Sequence, residues 1–290
     1  MGIGKIHRYL RLVPCLLLAG MAGAGVQGAV PPAAPRSIAA AKPRAQRIVS
    51  LNLCADQLIV ALADRGQIAG LTRYASDPDM SDVADRARSL PVFGGSAEEV
   101  MAAGPDLVIG MPARRNSAIA VLASQHYASV DLKSAHDYAG ILASIREVAR
   151  AVGHPERGEA MIARMNAGLA GLGTRGHGKV AAYYQRRGYM TGTGTLVDDL
   201  MHRVGLVNLA GKLGKPALSQ MSLEEMAEAH PDFIVIDSVT RRVSDQGTEM
   251  INHPILQDIP RITIPQSWTV CGGPAYVKAA KALAEQISAR

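Results

Sequence analysis

The chain is poor in aromatic residues and carries little net charge. One Trp, two Phe and eight Tyr must serve both the core and any ligand site. The formal net charge is +6, and loss of Lys5, Arg8 and Arg11 with an export signal would lower it to +3. That surplus is too small to indicate a nucleic-acid partner. Nearly half of the residues are apolar, so disorder of the whole chain is excluded.

Motifs of several other protein classes are also missing. The "TGTGT" stretch at 191–195 is followed by no lysine and matches neither nucleotide-binding fingerprint, so it is interpreted as a turn before a helix. The histidines from His126 to His253 are scattered over predicted helices and loops, which argues against a metal held directly by side chains. No nucleophile motif occurs, so an enzyme, such as a hydrolase, is the least favoured class. We expect no cofactor.

The amino terminus is typical of an export signal. A basic region precedes the apolar stretch "LVPCLLLAG" and a run of small residues, and the apolar stretch is too short to span a bilayer. Cys15 lies inside this stretch, so a lipoprotein anchor is rejected. The predictions are a signal peptide at 1–28, cleaved near Gly28, and a disordered leader at 29–46. The mature protein would be periplasmic.

One segment occurs twice. "SAEEVMAAGPDLVIG" at 96–110 returns as "SLEEMAEAHPDFIVI" at 222–236, with the serine, both glutamates and the Pro-Asp pair at the same offsets. A helix followed by Pro-Asp and a buried strand is a common α/β connection. Two copies that match in these positions nevertheless favour a duplication in two separate lobes.

Strand-like and helical stretches alternate on both sides of a purely helical region. This alternation predicts α/β lobes with parallel sheets, at 47–133 and 176–290. Residues 134–175 contain apolar residues only at helical spacing, and Pro155 is well placed to begin the second of two helices. The predicted fold class is therefore α/β, with two parallel-sheet lobes joined by a helical spine.

These segments together resemble a known family, the class III periplasmic substrate-binding proteins of ABC importers, which capture ferric siderophores, cobalamin or haem. The resemblance starts at "RIVSLNLCADQLIVALADRGQIAGLTRYASDP", includes "PDLVI", "PDFIVI" and "TGTGTLVDDLMHRVGLVNLAG", and runs from about Arg47 to the end of the sequence. It implies two lobes joined by a single long helical spine, with a ligand cleft between the lobes. It also implies a non-enzymatic protein that delivers its ligand to an ABC permease dimer, and we expect a monomer.

The resemblance assigns a role to the repeated glutamates. Family members carry one exposed glutamate per lobe that docks into an arginine-containing pocket of a permease subunit, and the matching positions are Glu98 and Glu224. Glu99 and Glu225 are possible substitutes. All four could alternatively be first-turn residues favoured by the helix dipole.

Ligand residues are sought where parallel strands end, because ligands of open α/β sheets collect there. Arginine pairs are frequent at these positions, and guanidinium groups suit an anionic ferric chelate better than cobalamin. A ferric siderophore is therefore ranked first, with cobalamin or haem as the alternative. The predicted ligand-binding residues are Asn52, Cys54, Arg73, Tyr74, Arg114, Arg115, Tyr184, Arg186, Arg187, Arg241, Trp268 and Cys271. Trp268 is included because family members place an aromatic residue there.

Cys54 and Cys271 are the two cysteines that remain after export, and each falls in a predicted cleft loop. A disulfide is allowed in an oxidising compartment but would tie the lobes together across the ligand entrance. Contact with a chelated metal or haem is a second possibility. Two buried thiols without a further role are ranked first.

Overall fold

The structure is a computed structural model that describes residues 44–110 and 127–290. The predicted export signal, most of the predicted leader and the helix expected near 116–125 lie outside the described residues. Arg114 and Arg115 also lie outside them.

Two separate parallel sheets organise the described chain. The first contains β1 (Ile48–Ser50), β2 (Ile68–Thr72), β3 (Val92–Phe93), β4 (Leu107–Gly110) and β5 (Ala128–Asp131). Their order across the sheet is β3-β2-β1-β4-β5. The second contains β6 (Val180–Tyr183), β8 (Val207–Asn208), β10 (Phe233–Asp237) and β11 (Arg261–Ile264). Its order is β11-β10-β6-β8. The two-lobe α/β fold class is confirmed.

Helices cover the faces of these sheets. In the first lobe they are α1 (Leu53–Leu62), α2 (Ala84–Ala87) and α3 (Ala97–Ala102). The connecting region contains α4 (Tyr138–Ala151) and α5 (Pro155–Leu169). The second lobe contains α6 (Leu196–Arg203), α7 (Leu209–Lys212), α8 (Leu223–Ala229), α9 (Gln246–Ile251) and α10 (Tyr276–Ser288). Among the described residues, no helix combines the length and the apolar character needed to cross a membrane.

The two Pro-Asp pairs have the same structural task in both lobes. The Asp106 carboxylate accepts hydrogen bonds from the amides of Gln46 (2.7 Å) and Arg47 (2.9 Å), immediately before β1. The Asp232 carboxylate accepts one from the amide of Val180 (2.7 Å), the first residue of β6. In the first lobe, the aspartate before β4 therefore holds the start of β1, which pairs with β4. In the second lobe, the aspartate before β10 holds the start of β6 in the same way. The repeat in sequence is a repeat in structure.

The connecting region packs tightly onto itself and onto both lobes. Pro155 begins α5, as predicted. A Cβ atom added at Gly158 would lie 2.6 Å from the Ala149 Cβ, so glycine allows α4 and α5 to approach each other closely. The Arg157 guanidinium donates to the Leu62 carbonyl at 3.0 Å, and the Tyr138 ring lies 5.4 Å from that of Tyr276 on α10. One hydrophobic cluster consequently includes buried residues of both sheets.

The sequence did not predict a small antiparallel sheet in the second lobe. It consists of β7 (Tyr189–Thr191) and β9 (Leu218–Gln220). Segments of three residues are too short to show the alternation by which strands are recognised.

Candidate functional site

A pocket of about 400 Å³ opens at the carboxyl ends of the second sheet. Its size lies within the range of small-molecule sites. Gln185 and Arg186 follow β6, Asp237 ends β10, and Gln266 follows β11. The described lining is Gln185, Arg186, Tyr189, Leu218, Asp237, Val239, Thr240 and Gln266. This pocket therefore lies where the parallel strands of the second lobe end, the position at which ligands of open α/β sheets collect.

Asp237 is the buried acid of this pocket. Its side chain accepts from the Val239 amide at 3.1 Å, and the residue is only 4% exposed. Burial raises the pKa of the Asp237 carboxyl, and the like charge of Asp79 from the other lobe adds to this effect. Burial also raises the pKa of the neighbouring Tyr183 hydroxyl to about 12, so this hydroxyl stays protonated.

Arg186 is the cation of the described lining, and it is already paired. Its guanidinium donates to the Asp245 carboxylate, which also caps the start of α9 by accepting from the Thr248 amide at 2.9 Å. The charge of Arg186 is thus largely compensated before any ligand arrives. The polar groups that remain at the pocket wall are mainly amides and hydroxyls.

The first lobe presents its predicted residues at the ends of β1 and β2. Asn52 is the N-cap of α1 and accepts from the Ala55 amide at 3.0 Å. Arg73 and Tyr74 are exposed and packed together, with the guanidinium 4.9 Å from the ring centroid and a 2.8 Å hydrogen bond to the hydroxyl. The Arg73 guanidinium thus lies over the Tyr74 ring, and the pair offers both apolar and polar groups.

Three predicted ligand residues of the second lobe lie elsewhere. Tyr184 is fully buried and its hydroxyl donates to the Met221 carbonyl at 3.0 Å, so the prediction for this residue is wrong. Arg187 is exposed in the left-handed backbone region (φ 58°) and does not belong to the described pocket lining. Arg241 lines a different cavity. A tyrosine directly after a strand cannot be assigned to core or site from sequence alone.

Cys54 and Cys271 form a disulfide, with their Cα atoms 5.3 Å apart. The interpretation as two buried thiols is wrong, and so is the proposed contact of free thiols with a ligand. The sequence could not decide this because the two residues are 217 positions apart. The bond connects the start of α1 to the loop after β11, and so links the two lobes.

Trp268 is partly buried and packs against the main hydrophobic cluster. It is not part of the described pocket lining, although Gln266 is only two residues away. Of the described lining, the predicted ligand-binding residues include only Arg186, and they omit Gln185, Tyr189, Leu218, Asp237, Val239, Thr240 and Gln266. Asp237 and Gln266 stand at strand ends, where the sequence-based expectation was for arginines and aromatic residues.

Known proteins share this architecture. A profile of the family described as "Periplasmic binding protein" matches residues 48–262. The chain belongs to this family. It is a class III periplasmic substrate-binding protein of ABC importers.

Individual relatives of this binding protein are distant. The vitamin B12-binding protein of Pectobacterium carotovorum is 24% identical over 255 residues, covering 84% of this chain and 89% of the relative. The periplasmic haem-binding protein RhuT of Roseiflexus sp. RS-1 has a TM-score of 0.67 at 24% identity, covering 84% and 98% of the two chains. The vitamin B12-binding protein BtuF of Vibrio cholerae has a TM-score of 0.61 at 16% identity, covering 84% and 97%. Identities this low support the fold alone.

The repeated glutamates of this binding protein occupy equivalent places in the two lobes. Ser96 and Ser222 are N-caps, and Glu99 and Glu225 complete capping boxes by accepting the serine amides at 3.2 and 2.8 Å. Glu98 and Glu224 are exposed. Hydrogen bonding to each residue's own amide, and then to the N-cap serine, lowers the pKa of both carboxyls.

Proposed function

We propose that this protein captures a metal chelate in the periplasm and delivers it, chemically unchanged, to an ABC permease. Its family membership and the binding function named for its relatives support this proposal. We further propose that the chelate carries neutral hydrogen-bonding groups, as the amides of cobalamin do. A ferric siderophore, which the arginines of the sequence suggested, becomes the second candidate.

This choice of ligand class rests on the polarity of the pocket lining. Asp237 is a buried residue of the pocket lining, and the guanidinium of Arg186 is paired with Asp245. Within this lining an anionic chelate would meet a carboxyl group and no unpaired cation, and the other arginines proposed as contacts, such as Arg73, lie outside the lining. Amide and hydroxyl groups, in contrast, can both donate to and accept from the amides of Gln185 and Gln266, and can donate to the Thr240 hydroxyl, whose own proton is donated to the Asp237 carbonyl.

The first lobe is suited to the flat part of such a ligand. The stacked Arg73 and Tyr74 offer a planar surface to a macrocycle, and Trp268 remains a proposed contact near the other wall. Asn52 remains a proposed contact at the start of α1, and Arg114, Arg115 and Arg187 remain proposed contacts of the cleft.

Calorimetric titration with cyanocobalamin, haemin and a ferric tris-catecholate tests the proposal. We expect saturable binding of cyanocobalamin and at least about tenfold weaker binding of the tris-catecholate, which corresponds to about 1.4 kcal/mol. Tight binding of the tris-catecholate with no binding of cyanocobalamin would reverse the ranking. Chromatography of the released ligand checks that it is recovered unchanged.

A pair of variants ties the binding to this pocket. Leu218 is 63% exposed at the pocket wall, and Leu218→Asp should weaken ligand binding by placing a second carboxylate next to Asp237. Val243→Asp is the control, because Val243 is 61% exposed and lies outside the described lining. Equal losses in both variants would place the ligand elsewhere.

We also propose that Glu98 and Glu224 dock the monomeric protein onto the two subunits of the permease. Their exposure, their ionised state and their equivalent positions in two rigid lobes support this role. Glu99 and Glu225 are engaged in the capping boxes, which makes them poorer candidates.

A further inference from the structure

A second cavity lies beyond the turn that borders the ligand pocket. Its volume is about 410 Å³, and it is located at β11, the edge strand of the second sheet. Val239 and Thr240 face the ligand pocket, whereas Arg241, at the end of the same turn, faces this second cavity. The polar groups of its described lining come from Arg241, Asn252, Arg261, Thr263, Gln286 and Arg290. No acidic residue belongs to that lining.

Arg261 is the arginine most strongly held by the fold. It begins β11, where Ile262 and Ile264 are buried and Arg261 and Thr263 project to the other face. One guanidinium nitrogen donates to the Ile251 carbonyl at 3.0 Å, at the end of α9. The Nε atom is buried and has no hydrogen-bond partner among the described residues. Burial lowers the pKa of the guanidinium, a sign that its charge is poorly solvated.

The other two arginines add guanidinium groups that no side-chain carboxylate of the described residues pairs with. Arg241 and Arg290 are exposed, and neither they nor Arg261 form an ion pair with any carboxylate in the described part of the chain. Three guanidinium groups around one cavity repel one another, and a bound anion would remove this repulsion. A donor such as Nε of Arg261 would also gain the acceptor that it lacks.

We propose that this cavity binds a phosphate-class oxyanion, either free phosphate or the phosphate of a larger molecule. A carboxylate has two oxygens and is satisfied by one guanidinium fork. A phosphate has three or four oxygens and can accept from several guanidinium groups and from the Thr263 hydroxyl together. The proposal does not depend on the identity of the chelate, because the two cavities have no described lining residue in common.

Calorimetry with potassium phosphate, at an ionic strength held constant with chloride, tests the site. We expect saturable binding that Arg241→Gln weakens by roughly tenfold or more, the typical effect of losing a charge-assisted hydrogen bond. Arg242→Gln is the matched control: the residue is the next in sequence, is equally exposed and carries the same charge, but does not belong to the lining. We expect this control to bind phosphate like the wild type.

Flotation with vesicles distinguishes the two sources of phosphate. Vesicles of phosphatidylglycerol are compared with vesicles of phosphatidylcholine, for the wild type and for both variants. Binding of inorganic phosphate that depends on Arg241 supports a free anion as the ligand. Arg241-dependent flotation with phosphatidylglycerol alone supports a phosphate headgroup. The proposal is overturned if neither ligand binds, or if Arg241→Gln and Arg242→Gln weaken binding equally.

Discussion

At the scale of single residues, Asp56 is an ionisable group of the first lobe that the fold holds tightly. It lies on α1, is fully buried, and accepts hydrogen bonds from the Thr72 amide at 3.0 Å and the Thr72 hydroxyl at 2.5 Å. These contacts fasten the first helix to the end of β2, just before Arg73. Burial is the largest influence, and it raises the pKa of the Asp56 carboxyl to about 6 in spite of the hydrogen bonds.

Asp56→Asn should change how stability depends on pH. The folded protein binds a proton at Asp56 more tightly than the unfolded chain does, so this group stabilises the fold below pH 4. The stabilisation is lost as the pH rises through about 6. Between pH 4 and 7, the free energy of unfolding of the variant should therefore rise by about 2–3 kcal/mol relative to the wild type. Urea unfolding at four pH values measures this difference.

Asp258→Asn is the control for this experiment, because Asp258 is exposed. The difference in free energy of unfolding between Asp258→Asn and the wild type should be nearly constant over the same pH range. A pH-independent difference for Asp56→Asn as well would mean that Asp56 is ionised in the folded protein throughout.

At the scale of secondary structure, the two neighbouring glutamates in the first turn of α3, and those in the first turn of α8, have different roles. Glu99 and Glu225 complete the capping boxes, and Glu98 and Glu224 project into solvent beside them. The second glutamate of each pair thus completes the cap, and the first, which bonds only within its own turn, stays exposed to a partner. The repeat of two adjacent carboxylates is explained if both tasks are needed in both lobes.

Variants of the two turns distinguish these tasks. Glu98→Lys combined with Glu224→Lys should abolish uptake of the chelate while ligand affinity remains intact. Ser96→Ala or Ser222→Ala should lower the free energy of unfolding by about 1 kcal/mol and leave uptake unchanged. Transport into permease-containing proteoliposomes, calorimetry and thermal unfolding provide the three measurements. A parallel loss of ligand affinity in the lysine variant would contradict the docking role.

The strands also show which parts of the fold could be predicted from the sequence. Strands such as β4 and β10 were predictable because both are continuous apolar runs after a Pro-Asp pair, as buried parallel strands usually are. The β7–β9 pair was not predictable. Because Leu218 is the first residue of β9, it was absent from the predicted site. The roles of Tyr184 and Arg241 depend on which face of the chain packs inward after the strand has ended. That choice is made by tertiary contacts between distant segments, not by local pattern.

At the scale of the whole molecule, the last helix connects the two lobes. The Tyr276 hydroxyl on α10 donates to the Asp199 carboxylate and accepts from Arg203 Nε at 2.9 Å, both within the second lobe. Two residues further on, the Lys278 ammonium lies 2.6 Å from the Asp82 carboxylate in the first lobe. These contacts, together with the packing of α4 against α5, oppose large movements of one lobe relative to the other.

The Cys54–Cys271 disulfide acts at the same scale, because it closes a very long loop and fastens the segment after Gln266 to the first lobe. That segment is closely packed: a Cβ atom added at Gly272 would lie 2.5 Å from the Ala135 Cβ.

Replacing both cysteines by serine should lower the free energy of unfolding by about 2–4 kcal/mol, mainly because the unfolded chain is no longer constrained. Guanidinium unfolding of the oxidised protein, the reduced protein and the double variant measures this loss. The reduced protein and the double variant should have the same free energy of unfolding. Ligand affinity should fall less than stability, since Gln266 is also held by the turn that follows β11. Two titratable thiols at positions 54 and 271 in the native, unreduced protein would contradict the bond, and the lobes would then be joined by the connecting helices, the Lys278–Asp82 ion pair and packing.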